Sequence, residues 1–146
     1  MSLDVYVKYK KARKERYYEN HSACGSNMPI DDYEAEVTEW HANITHNMNK
    51  MAMCIPVKFE VNGKKYDGTL YSYVWRPEEQ YPSVANTDIV GKALEVGICY
   101  MVTHRDELLQ YNPSNGWGSY DAFLMWLVNY MRVCKENPDC LIEVDR

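Results

Sequence analysis

A chain of 146 residues with 46% hydrophobic and 25% charged side chains has the make-up of one globular domain, long enough to bury a core without staples. No apolar run approaches the ~18 residues of a membrane-spanning helix, and the opening residues lack the apolar segment of a secretory leader, so a cytoplasmic protein without a membrane partner is expected. The net charge of −5 is uneven: residues 8–16 carry six basic side chains against one acid, leaving −10 on the remainder. That acidic remainder argues against nucleic acid as a partner, since it repels phosphate backbones. The basic run, interleaved with Tyr9, Tyr17 and Tyr18, is expected to be a solvated surface segment.

In chain order, residues 3–9 alternate Val5, Val7 and Tyr9 against Tyr6 and Lys8, which predicts a strand with one buried face. Residues 11–32 lose periodicity and predict a long loop; the His21/Cys24 pair within it is too little to propose a metal. Alternation resumes over 33–44, with Trp40, Ala42 and Ile44 on one side. Thr45 then predicts an N-cap for a helix over 46–55, with Met48, Met51, Ala52 and Ile55 at core spacing and Pro56 as its stop.

Residues 57–61, Asn62-Gly63 and the chain from Lys64 onward predict a hairpin with a type I′ turn. Its second arm is expected to run through Tyr71, Tyr73 and Trp75, with a bulge or break at Asp67-Gly68. After a loop over 77–86, Thr87 or Asp88 is expected to cap a helix to about His104. Val90, Ala93, Leu94, Gly97 and Met101 share its apolar face, and Gly97 suits the close approach of another element. A further helical turn is expected over 106–111, and 112–118 is a dense cluster of turn residues.

Residues 119–134 carry the strongest helical pattern. Behind a Ser119 cap, Tyr120, Phe123, Leu124, Leu127, Tyr130, Met131 and Cys134 recur at i, i+3, i+4, i+7, i+10, i+11 and i+14. Burying that face is worth at most about 10–20 kcal/mol, so the other elements are expected to pack on this helix. Asn137-Pro138-Asp139 turns the chain into a last strand over 141–144. The expected fold class is α+β: a single domain with a small, mostly antiparallel sheet of strands from both chain ends and a hairpin, packed on about three helices.

The five cysteines are scattered without a CxxC pair, and Cys54, Cys99 and Cys134, lying in apolar helical patterns, are expected to be buried thiols in a reducing compartment. No Gly-x-Ser-x-Gly, phosphate-binding loop, zinc-helix or dinucleotide fingerprint is present, so no cofactor and no metal are expected. The best candidate site is the strand-to-helix junction around Asn43, His46 and Asn47, where donor and acceptor groups converge beside a helix N-terminus. Trp75, Arg76 and Trp117 are expected to complete it, the tryptophans as a stacking wall and Arg76 as an anion clamp. The capping role that Asn and Thr often take at such junctions is the structural alternative.

Asn43-Ile-Thr-His-Asn47 with Met51-Ala52, Leu70 to Pro77, the Asn-Pro-x-Asn-Gly-Trp-Gly block at 112–118, and Cys134-Lys-Glu-Asn-Pro-Asp139 resemble a family of small proteins common in bacteriophages and prophages. The resemblance covers roughly residues 37–144 in separated blocks. It implies a cytoplasmic single domain and carries no catalytic role over. Against that pattern the hairpin over 56–68 looks inserted and the loop over 11–32 looks extended.

Three functional readings follow. The first is binding of a small polar or nucleotide-like ligand, or of a protein partner, at Asn43, His46 and Asn47. The second is an enzyme using His46 as general acid or base. The third is an interaction protein using Tyr66, Tyr71 and Tyr73 of the hairpin. Binding is preferred because neither nucleophile nor metal cluster accompanies the histidine.

Overall fold

Alternating residues over Ser2–Lys8 build strand β1, with Leu3, Val5 and Val7 fully buried and Asp4, Tyr6 and Lys8 on the opposite face. The computed structural model describes residues 1–8 and 38–146. The loop over 11–32, the His21/Cys24 pair and the basic run beyond Lys8 therefore lie outside the described residues. Lys8 itself pairs with Glu143 at 2.6 Å.

β2 (Thr38–Thr45) pairs antiparallel with β1, setting Val5 opposite Ala42 and Tyr6 opposite His41. On the other side β5 (Leu141–Asp145) pairs antiparallel with β1, setting Val7 opposite Ile142, so the sheet order is β2-β1-β5. Strands distant in the chain thus share one sheet. The hairpin stands apart: β3 (Pro56–Val61) and β4 (Lys64–Thr69) form a separate two-stranded ladder. Asn62 and Gly63 take φ of 52° and 79°, the double positive φ of a type I′ turn. No bulge interrupts the ladder, because Lys58–Asp67 and Val57–Gly68 stay in register.

Five α-helices are present among the described residues: α1 (Asn49–Met53), α2 (Leu70–Val74), α3 (Thr87–Thr103), α4 (Arg105–Leu109) and α5 (Tyr120–Glu136). The strand expected through Tyr71, Tyr73 and Trp75 is α2 instead. Leu70, Tyr73 and Val74 are buried at i, i+3 and i+4, and that helical burial overrides the alternating tyrosines. α3 is capped by Asn86, not Thr87 or Asp88, its Oδ1 accepting from Ile89 N at 3.0 Å. Thr87 is buried and acts as a stitch: Oγ1 donates to Asn137 O at 2.6 Å and accepts from Cys140 N at 3.0 Å.

On α5 the expected face is inside: Tyr120, Phe123, Leu127, Tyr130, Val133 and Cys134 are buried, and Ser119 Oγ accepts from Ala122 N at 3.1 Å. The hub, however, is α3, which packs against α5, α2, α4 and β3. Its glycines explain this. A Cβ on Gly91 would stand 3.0 Å from Cys134 Cβ, and one on Gly97 would stand 2.8 Å from Leu70 Cδ1, so α5 and α2 each approach where α3 has no side chain. Cys54 and Cys99 are exposed, contrary to expectation, whereas Cys134 and Cys140 are buried. Cys99 falls on the outer side of α3, and Cys54 follows the end of α1 beside the exposed Met53.

Candidate functional site

β2 ends at Thr45, whose hydroxyl accepts from Asn47 N at 3.3 Å, while His46 N donates to Met1 O at 3.4 Å. A single 3-10 turn, His46–Met48, leads into the five-residue α1. The row of free amides expected here is thus partly consumed by the chain itself, and so short a helix builds little dipole. At α5, Tyr120 N donates to Asn112 Oδ1 at 2.7 Å and Phe123 N to Ser119 O at 2.9 Å. The two junctions therefore do not combine into an anion-attracting patch of backbone amides.

They do meet. Gly118, at φ 99°, lies on the turn so closely that a Cβ would stand 2.7 Å from Met48 Sδ and 2.8 Å from Thr45 Cγ2. Asn115 Oδ1 accepts from Trp117 N at 2.9 Å and shapes the loop from within. Asn47 Nδ2 then reaches Trp117 O at 3.2 Å and Asn115 Oδ1 at 3.4 Å. Loop-on-turn packing, rather than two parallel helices side by side, brings residues seventy positions apart together. Asn43, His46, Asn47 and Trp117 border one concavity of about 680 Å³, with Thr45, Ser2 and Met1. Trp117 is 71% exposed and presents its ring to solvent.

Trp75 and Arg76 are placed otherwise. Trp75 is 1% exposed, stacked near Tyr71 with ring centroids 5.6 Å apart, and cannot be a wall of an open site. Instead its Nε1–H donates to His46 Nδ1 at 3.0 Å. An indole nitrogen only donates, so Nδ1 must carry the lone pair, and the neutral ring then bears its proton on Nε2. Among the described residues Nε2 has no hydrogen-bond partner.

Arg76 borders neither concavity at the turn, and its Nε and Nη1 donors are taken: Nε by Tyr71 OH at 3.0 Å, Nη1 by both oxygens of Glu79 at 2.7 and 2.9 Å. The hydrogen bond from Arg76 holds the Glu79 carboxyl below the usual carboxylate range, outweighing the slight desolvation that raises it. Arg146 also pairs with Glu78 and Glu79.

A second concavity of about 650 Å³ opens on the other side of the turn. It shares His46 and Asn47 and adds Asn49, Lys50, Gln110, Tyr111, Asn112 and Asn115 among its lining. The sequence reading missed it; the recurrence of asparagine at 43, 47, 49, 112 and 115 was the available signal. Beside it, the Tyr111 hydroxyl is pushed up chiefly by the neighbouring Cys54 thiol.

His41 does not join His46. It stacks on Tyr6 with centroids 4.4 Å apart and contacts Asp4 Oδ1 through Nε2 at 2.9 Å, on the outer face of the sheet. Among the described residues no helix is long and apolar enough to cross a membrane. No protein-family model, curated protein or solved structure matches the chain.

Proposed function

We propose that the protein is a binding module for a small, planar, uncharged polar ring of the nucleobase kind, held at the His46–Asn47 turn. One observation carries the reading: the hydrogen bond from the buried Trp75 to His46 Nδ1, which leaves Nε2–H as a fixed donor beside the concavity. The Asn43 carboxamide adds a donor and an acceptor, and Asn47, whose Nδ2 is spent on the loop, adds its Oδ1 acceptor, groups of the sort that read the edge of a base. Trp117 supplies an exposed ring on which such a ligand stacks. Among the described residues no carboxylate, lysine or arginine side chain borders this concavity, and Met1 lies on its rim.

The same hydrogen bond weighs against His46 as a general base, because a nitrogen already bearing its proton has no lone pair to receive another. The interaction reading loses two of its three residues: Tyr71 and Tyr73 belong to α2, and Tyr73 is 3% exposed. Tyr66 remains on the hairpin, stacked on Phe59 with centroids 5.0 Å apart. A cytoplasmic phage- or prophage-type role is part of the proposal and rests on the sequence blocks alone.

The test is titration of the full chain with the common ribonucleosides, followed by tryptophan fluorescence and calorimetry. At least one nucleoside quenches emission, Trp117→Phe abolishes the quench, and Asn47→Ala weakens binding about tenfold, the loss of one well-made hydrogen bond. Absence of binding by every nucleoside overturns the reading.

A further inference from the structure

We propose that the ligand of this site is a mononucleotide, its phosphate held by Lys50 in the second concavity while its base occupies the first. The inference rests on the reading of the His46–Asn47 turn given above and adds the charged half of the ligand.

The two concavities, about 680 and 650 Å³, share His46 and Asn47 as a common rib, so one extended molecule can reach into both. Each falls within the size range of small-molecule sites. Their chemistry differs. Among the described residues the first has no charged side chain on its lining, and the second has Lys50 and no carboxylate.

Lys50 is unusual for this acidic chain. Every other described lysine or arginine outside the hairpin has a carboxylate partner, as Lys92 has Glu95 and Arg105 has Asp121. Lys50 has none among the described residues. An ammonium with no carboxylate beside it among the described residues is a point charge of the sort that binds phosphate.

The carboxamides around it are turned the same way. Asn112 Oδ1 is committed to Tyr120 N, and Asn115 Oδ1 to Trp117 N, which leaves their Nδ2 groups as the unspent ends. Those ends only donate, and phosphate oxygens only accept. With Lys50, Asn49 and Gln110 the cleft offers more donors than the two oxygens of a carboxylate use, and suits the three terminal oxygens of a phosphomonoester. Base beside the Asn43 and Trp117 side chains and phosphate in the donor-rich concavity is the arrangement that suits both linings.

The experiment compares the common ribonucleosides, their 5′-monophosphates and inorganic phosphate by calorimetry on the full chain, with Lys50→Ala and Lys50→Arg. Lys50 is exposed, so both variants are expected to fold, which circular dichroism checks. The monophosphate of the preferred base binds about tenfold or more tightly than its nucleoside, the advantage falling as salt rises. Lys50→Ala removes that advantage, Lys50→Arg keeps most of it, and nucleoside affinity stays unchanged in both. Equal affinity for nucleoside and monophosphate, or an advantage indifferent to Lys50→Ala, overturns this inference and leaves the base-binding reading standing. Failure of nucleosides and nucleotides alike overturns both.

Discussion

Trp75 Nε1 lies 3.0 Å from His46 Nδ1, so a tryptophan buried in the core sets the orientation and proton position of an imidazole at the surface. The two are 29 positions apart, at the C-terminal cap of α2 and on the turn after β2. Without His46 the indole N–H would be a buried donor with no partner, which costs about 1–3 kcal/mol.

Trp75→Phe keeps an aromatic ring beside Tyr71 and deletes the donor. The expected outcome is a folded protein destabilised by about 1–2 kcal/mol in denaturant titration. Nitrogen-15 spectra of the His46 ring should move away from the pure Nε2–H form. Spectra unchanged from wild type would show that some other group fixes the tautomer.

Gly118→Ala places a methyl group against Met48 and Thr45 in a backbone conformation that alanine rarely adopts. Clash and backbone strain together should cost about 2–4 kcal/mol. Because the loop must shift to relieve them, Trp117 emission should change and nucleoside quenching should fall. Unaltered stability and emission would mean that the loop does not rest on the turn.

Tyr130 is fully buried, and among the described residues its hydroxyl has no hydrogen-bond partner. Tyr130→Phe removes an unsatisfied polar group while keeping the ring beside Trp40, and should raise stability by about 1 kcal/mol. Burial pushes the phenol well above its ordinary value of 10.0. An acid raised on folding contributes stability that is intact below its unfolded value and lost as pH climbs beyond it. The advantage of the variant should therefore be constant below about pH 9 and widen above pH 10, read from urea midpoints across that range. A wild type that resists alkali as well as the variant would contradict this.

Leu127→Ala opens a cavity in the middle of the α5 apolar face, where Leu127 is fully buried. The expected cost is about 2–5 kcal/mol, measured by chemical denaturation. A midpoint within error of wild type would remove α5 from the core.

The long periodic elements were legible because a single physical signal, one-sided burial, dictated them. α5, its Ser119 cap, the alternation in β1 and the Asn62-Gly63 turn all follow from residue spacing or from φ preference. Gly97 was legible as a point of close approach, although its neighbour Leu70 was not. What escaped depends on contacts that leave no local pattern. Tyr71, Tyr73 and Trp75 alternate like a strand, and only the placement of Leu70 and Val74 against α3 makes that segment a helix. Trp117 was expected beside His46 as a stacking wall, and what brings it there, a glycine packed on a methionine, leaves no trace in residue spacing. The role of Trp75 was inverted, since a ring buried by tertiary packing and a ring exposed for stacking have the same sequence signature.

The order of strands has a consequence for synthesis. β1 is the middle strand of its sheet, yet its contact with β5 joins residues 135 positions apart, as Lys8 and Glu143 show. During translation Leu3, Val5 and Val7 must wait for β5 to leave the ribosome before that ladder closes. Contacts of such sequence separation slow folding, because loop entropy is lost before the contacts reward it. Until β5 emerges, β1 therefore presents an unpaired edge, and the pairing that completes the sheet is also the one that covers it.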